Sequence, residues 1–203
     1  LAIALLLNEE FPGNKVVRVS LLVPWAVPPV VAALMFTIMM QTAYGVINFI
    51  LVSLGIISTP IAWFGRPEYA LDSLIVINLW KYVPLLAIIL LSAVQNVPAE
   101  LIESAKVYSA NSLRRFVHIT LPSIRPTIIV TMILSILFSL ITFDTVLAIT
   151  KGGPGYETYM LYFYAYRVSF EFLDMGYGST VAYIVTFISV VCVLILMKYR
   201  RVE

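Results

Sequence analysis

Thiol and imidazole are almost missing from this sequence: among 203 residues, Cys192 is the one cysteine and His118 the one histidine. A lone cysteine forbids an intrachain disulfide and leaves the redox compartment unread, and the two residues together cannot build a His/Cys metal cluster. There is no G-x-S-x-G elbow, no H-E-x-x-H pair and no phosphate-cradling G-x-x-x-x-G-K. Those absences remove the usual hydrolase, metalloprotease and nucleotide-hydrolysis signatures. His118, close to Arg114 and Arg115, reads as a surface residue and not as a base. Charge is scarce too. Charged residues make up 12% of the chain against 61% hydrophobic, and the mean hydropathy is +0.98. Soluble domains run at roughly 25% charged and about 45–50% apolar, so an ordinary soluble domain is excluded. No secretory signal peptide is recognisable. The opening run LAIALLL falls far short of the roughly twenty residues a bilayer crossing needs, and is expected to be the tail of a span that begins upstream.

Long apolar runs are what remains, and four are candidate spans: 16–42, 71–95, 123–150 and 176–197. Only helices or closed barrels satisfy their backbone in lipid, and runs of this length without alternation predict helices. The first carries Pro24, Pro28 and Pro29, which predicts a kinked helix. The second contains Lys81 and Pro84; the third and fourth are cleaner, with Asp144 near the end of the third. Residues 1–203 thus read as one all-α, polytopic membrane bundle whose helices are interrupted.

The net charge of +2 says less than its distribution. Lys15, Arg18, Lys106, Arg114, Arg115, Arg125, Lys198, Arg200 and Arg201 fall on one side of the bundle. Arg66, Lys81, Lys151 and Arg167 belong to the other side or to the second span. The positive-inside rule makes the richer side, with segment 96–122, cytoplasmic. On the opposite side, Val46, Ile47, Ile50, Leu51 and Leu54 recur at helical spacing before Trp63 and Phe64, as in an interfacial helix with an aromatic belt. Lys151-Gly152-Gly153-Pro154-Gly155 predicts a tight turn. The aromatics after it, Tyr156 to Phe172, suit either docking of an external partner or an interface belt.

Residues 100–122, ELIESAKVYSANSLRRFVHITLP, form a polar interruption between apolar runs. Pro98 suits a helix first turn, where a missing N–H costs nothing. Leu101, Ile102 and Ala105 then share one face and Glu100, Glu103 and Lys106 the other. Asn and Ser at 109–112 favour a break and a cap. A second short helix groups Leu113, Phe116 and Val117, and Leu121-Pro122 is expected to end it. Such an elbow at the membrane surface is either a knob that transmits force to a soluble partner or a solvated loop.

The spacing of this elbow resembles the cytoplasmic signature of bacterial and archaeal ABC-importer permeases: Glu-Ala-Ala, three residues, Gly, nine residues, Ile, one residue, Leu-Pro. Here Glu103-Ser104-Ala105, Ser109, Ile119 and Leu121-Pro122 stand at those positions. Gly45-Val46-Ile47-Asn48, Trp80 with Pro84, Phe143-Asp144, Thr150-Lys151-Gly152-Gly153-Pro154 and Asp174-Met175-Gly176-Tyr177-Gly178 are similar to the carbohydrate-uptake branch, and extend the resemblance from Leu5 onward. The resemblance implies a type I importer bundle with span sequence missing at the N-terminus, set in a bacterial or archaeal cytoplasmic (inner) membrane. The short helices in 96–122 would be coupling helices, with Glu103, Ser104, Ala105, Ser109, Leu121 and Pro122 as ATPase-coupling residues. It further implies a second homologous permease, an ATPase dimer, an external solute-binding protein and inward movement of a sugar by alternating access. This chain would bind no cofactor or metal itself; ATP and Mg would belong to the partner ATPase, and no nucleic acid is involved. Serine replaces the family glycine at position 109; if that position needs positive φ, the cost is on the order of 1–3 kcal/mol. Alternative readings are a same-family permease for glycerol phosphate, polyamine or another solute, and a channel or scaffold without an ATPase.

Polar groups inside spans are the pathway candidates. Lys81 lies about ten residues, roughly 15 Å, from the outer end of its span, and Asp144 about six residues, roughly 9 Å, from the end of its own. The two are expected to pair in or beside the solute pathway; the alternative is a Lys81 that snorkels or lines a wet cavity alone. Asn78, Trp80, Tyr82, Ser139, Thr142 and Phe143 suit sugar stacking and hydrogen bonding, and equally suit helix packing.

Overall fold

The computed structural model describes residues 1–107 and 111–200. Among the described residues there is no strand. The helices are α1 (Ala2–Asn8), α2 (Asn14–Leu21), α3 (Val23–Ala26), α4 (Pro29–Met39), α5 (Val46–Ser53) and α6 (Pro67–Gln95). They continue as α7 (Ala99–Val107), α8 (Ser112–Arg115), α9 (Leu121–Leu140), α10 (Asp144–Ile149), α11 (Leu161–Tyr166) and α12 (Met175–Arg200). Single π turns join α8 to α9 (Phe116–Thr120) and follow α11 (Arg167–Glu171).

The helix α6 is the frame. It starts on Pro67, where a proline loses no bond, and at 29 residues is about 43 Å long, ample for a hydrocarbon core of about 30 Å. α1, α3, α4 and α9 pack against it; α10 lies on α4, and α12 on α9 and α11. Lipid gives no hydrophobic drive between helices, so close approach through small residues has to hold the bundle. Ala4, Ala32, Ala33, Ala70 and Ala87 are all buried. Two apolar clusters bracket α6. Ala4 and Leu7 meet Leu90 and Leu91 at one end, while Phe36, Met40, Leu74, Ile77, Val146 and Phe163 close the other.

Among the described residues three runs are long and apolar enough to cross a membrane, 67–95, 112–149 and 175–198, and the bent pair below makes four if it is one span. The expected first span, 16–42, is not one kinked helix. Residues 14–26 and 29–39 form two helical segments bent by 95°. A proline disfavours the α region for the residue before it. Two in succession therefore make two extended residues, and Val27 (ψ 129°) and Pro28 (ψ 141°) are both extended. The third run also departs from expectation, leaving the helix at residues 141–143 before α10 begins on Asp144. Thr142 Oγ1 donates 3.0 Å to Phe138 O, the back-bond by which threonine loosens its own helix.

The elbow follows expectation at its start. Leu101 N donates to Pro98 O as α7 opens, and Asn111 caps α8 by accepting from Arg114 N at 2.8 Å. Its end differs. Leu121-Pro122 does not terminate the second short helix, because the π turn lets Leu121 N reach Phe116 O and the helix runs on into α9. The wider turn places Pro122 at the start of α9, where its absent N–H is tolerated.

On the opposite side, α5 is the expected short helix, and one side chain fixes its connection to α6. Buried Asn48 donates 2.9 Å to Ile61 O and accepts from Ile61 N at 3.1 Å and Trp63 Nε1 at 3.0 Å. Three partly buried groups depend on that one amide. Replacing Asn48 with Ala is expected to cost about 2–3 kcal/mol, read as a lower thermal midpoint and faster tryptic cleavage at Arg66; unchanged cleavage would contradict the clamp.

Candidate functional site

Six of the residues singled out for the pathway are brought together. Asn78, Lys81 and Tyr82 of α6 face Thr142, Phe143 and Asp144 across a narrow cleft whose other wall is Pro29 and Ala32 of α4. Both chain breaks, at 27–28 and at 141–143, border it. The cleft holds ≈ 20 Å³, about the room of a single water. No sugar fits it as it stands.

Lys81 sits at the midpoint of α6 and is 6% exposed. Its ammonium donates 3.3 Å to Trp25 O and also to Val27 O. It lies over the Tyr82 ring as well, 5.7 Å from the centroid. The expected Lys81–Asp144 pair is not formed: no ion pair or hydrogen bond joins them among the described residues, and Asp144 is exposed. The reason is local. The prolines that break the first span free carbonyls, and those carbonyls hold the ammonium. One turn before Lys81, Asn78 Nδ2 donates 2.8 Å to Thr142 Oγ1 at the second break. Tyr82 stacks on Phe138, with centroids 4.5 Å apart and planes 13° from parallel, while Phe143 meets Tyr166 at 4.9 Å. Two candidates are elsewhere. Trp80 turns into the core edge-on to Phe36, and Ser139 is exposed outside the cleft.

At the elbow, Glu103 and Ser104 are exposed on α7 and Ala105 is half-buried. Leu121 is half-buried and Pro122 exposed. Ser109 lies outside the described residues. Of the apolar side chains expected to share the two faces, Leu101 (48%), Leu113 (70%) and Val117 (43%) stay exposed, while Ile102, Ala105 and Phe116 are half-buried. Among the described residues no group of three or more His, Cys, Asp or Glu could hold a metal ion.

The outer turn at 151–155 is held from within. Fully buried Thr158 shares a 2.7 Å hydrogen bond with Thr150 Oγ1 and donates 2.7 Å to Gly153 O. Gly152 (φ 87°) is buried against Tyr159 and Phe163, where a Cβ would collide with both rings. Tyr159 also meets Tyr156 edge-on at 5.4 Å, and Arg167 lies 5.6 Å over its ring. Thr158 gave no sequence signal; its partners identify it only once the turn is folded. Arg18, which the sequence presents only as a charge, and Asn14 both donate to Leu7 O, at 2.8 and 3.0 Å, and cap the end of α1.

The family described as binding-protein-dependent transport system inner membrane component matches residues 1–201. The sulfoquinovosyl glycerol transport system permease protein of Agrobacterium fabrum is 36% identical over 203 residues, covering 100% of this chain and 65% of that protein. The trehalose/maltose transport system permease protein of Thermococcus litoralis is 36% identical over 190 residues, covering 94% of this chain and 63% of that protein. The chain thus spans a little under two thirds of either relative. A crystal structure of a bacterial ABC transporter involved in import of the acidic polysaccharide alginate matches with a TM-score of 0.87 at 24% identity, over 100% of this chain and 72% of that one. The fold is that of an ABC importer permease, a multi-pass membrane bundle.

The outer turn offers a direct check. Thr158→Val keeps the shape and removes the hydroxyl, leaving Thr150 Oγ1 and Gly153 O short of a buried partner. A loss of about 1–3 kcal/mol is expected, with faster chymotryptic cleavage at Tyr156. An unshifted melting midpoint together with unchanged cleavage would contradict that role.

Proposed function

Because the chain belongs to the family of binding-protein-dependent transport system inner membrane components, we propose that residues 1–203 form the permease domain of an ATP-driven importer that carries a sugar inward by alternating access. The elbow carries this reading. It is a polar, capped pair of short helices set between spans, on the side with most of the Lys and Arg, and its apolar side chains Leu101, Leu113 and Val117 are left open. A soluble protein seated there would cover them, and the exposed Glu103 carboxylate stands beside them to meet a cation or backbone amides. That protein is an ATPase dimer, which supplies the ATP and Mg chemistry this sequence lacks. Glu103, Ser104, Ala105, Ser109, Leu121 and Pro122 are the coupling positions.

The sugar assignment rests on the relatives, whose names specify sulfoquinovosyl glycerol and trehalose or maltose. The residues agree with it: Tyr82, Phe143 and Asp144 offer ring faces and a carboxylate at the cleft. The cleft is closed to a sugar, so the route opens as the two broken segments part, against a second permease that completes the pore. An extracytoplasmic binding protein delivers the solute over the aromatic surface at 156–172. The complex works in a bacterial or archaeal cytoplasmic membrane.

The charge-reversing variant Glu103→Arg, made in the assembled transporter, tests the elbow. It is expected to release the ATPase on purification, or to lower transport-coupled ATP hydrolysis at least about tenfold, the equivalent of about 1.4 kcal/mol of lost contact. Thermal stability of the permease itself should be unchanged, since Glu103 is exposed. Full retention of a coupled ATPase would refute the assignment.

A further inference from the structure

The two carbonyls that hold Lys81 are products of the break itself. In an unbroken helix Trp25 O would accept from residue 29, which is Pro29 and has no N–H. Val27 O lies at the break, and no backbone N–H donates to it among the described residues. Lys81 Nζ donates to both, so one ammonium answers two carbonyls that the break leaves without an amide partner and fastens α3 to the middle of α6. Asn78, one turn away, pins the other break by donating to the Thr142 hydroxyl, which itself donates to Phe138 O. Both walls of the cleft are therefore pinned to one face of one helix, and they cannot part from α6 while both pins hold.

An amide would serve as a static pin at much lower cost than a charge at the centre of a span. A lysine has a further property: it can exchange acceptors without becoming neutral, provided an anion is within its reach. Asp144 lines the same cleft and forms no hydrogen bond or ion pair among the described residues. We propose that Lys81 is a positioning residue acting as a two-position latch: on the carbonyls of Trp25 and Val27 it holds the cleft closed, and it transfers to Asp144 as the cleft opens. This rests on the reading of the chain as an importer permease. It assigns the expected Lys81–Asp144 pair to the open arrangement.

The test is amide hydrogen exchange at Ala26 and Val27, whose N–H groups bond Leu22 O and Val23 O. It is made on the full transporter in lipid nanodiscs, untreated and trapped with Mg-ATP and vanadate. In the unsubstituted protein, trapping should speed exchange about tenfold, the value of one hydrogen bond to a charged group. Lys81→Met should be fast already without trapping. Lys81→Arg, which also donates twice, should restore slow exchange in the untrapped state. Asp144→Asn should keep slow exchange untrapped and lose the rise on trapping, because the anion that draws the ammonium away is gone. A Lys81→Met protein that exchanges as slowly as the parent overturns the pin. A parent protein, or an Asp144→Asn protein, whose response to trapping differs from this overturns the transfer. If no ATPase stays with the complex the importer reading fails instead, and the untrapped Met and Arg variants still decide the pin.

Discussion

Lipid supplies no hydrogen bonds, so each carbonyl that a proline or a threonine removes from a helix ladder must be answered by another group at the same depth. Much of this bundle is arranged around that demand. Pro28 and Pro29 break the first span and Lys81 answers; at the second break the Thr142 hydroxyl answers Phe138 O, and Asn78 donates to that hydroxyl. Lys81 and Asn78 both lie on one face of α6, which explains why α3 and α9 pack on that helix while α4 and α10 pack on each other around it. The same accounting recurs nearer the surface, where Asn48, Thr158 and the Asn14–Arg18 pair each satisfy backbone groups that a turn has left open.

Much of this was legible in the residues, and what was not has a common cause. Apolar runs announce helices because lipid permits little else, so α6 and α12 lie close to where the sequence set them. The elbow is legible because its signal is local: Pro98 opens a helix, Asn111 caps one, and the register from Glu103 to Pro122 is a short-range pattern. Consecutive prolines announce extended backbone at Val27 and Pro28, but the 95° between the segments depends on what α4 packs against. The break at 141–143 is less legible still, since Thr142 is braced by Asn78 from 64 residues away.

Lys81 shows the limit most clearly. A lone cation in an apolar run invites a search for an anion, and Asp144 is the carboxylate at a compatible depth. Its acceptors in this arrangement are carbonyls, which every residue carries and no letter of a sequence marks. The end of the elbow failed for a related reason. A proline usually stops a helix, but a π turn just before it shifts the ladder by one residue and admits Pro122 as a beginning.

That π turn also makes a mechanical connection. Without it the elbow would hang from α9 by a flexible joint; with it, Ser112 to Leu140 is one shaft about 43 Å long. A shaft magnifies angles. A tilt of about 10° at its inner end sweeps the outer end through about 7 Å, the scale on which the break at 141–143 would have to part from α6. The far end of this lever is where the helix gives way, at Thr142, so rotation at the membrane surface would arrive at the cleft as displacement.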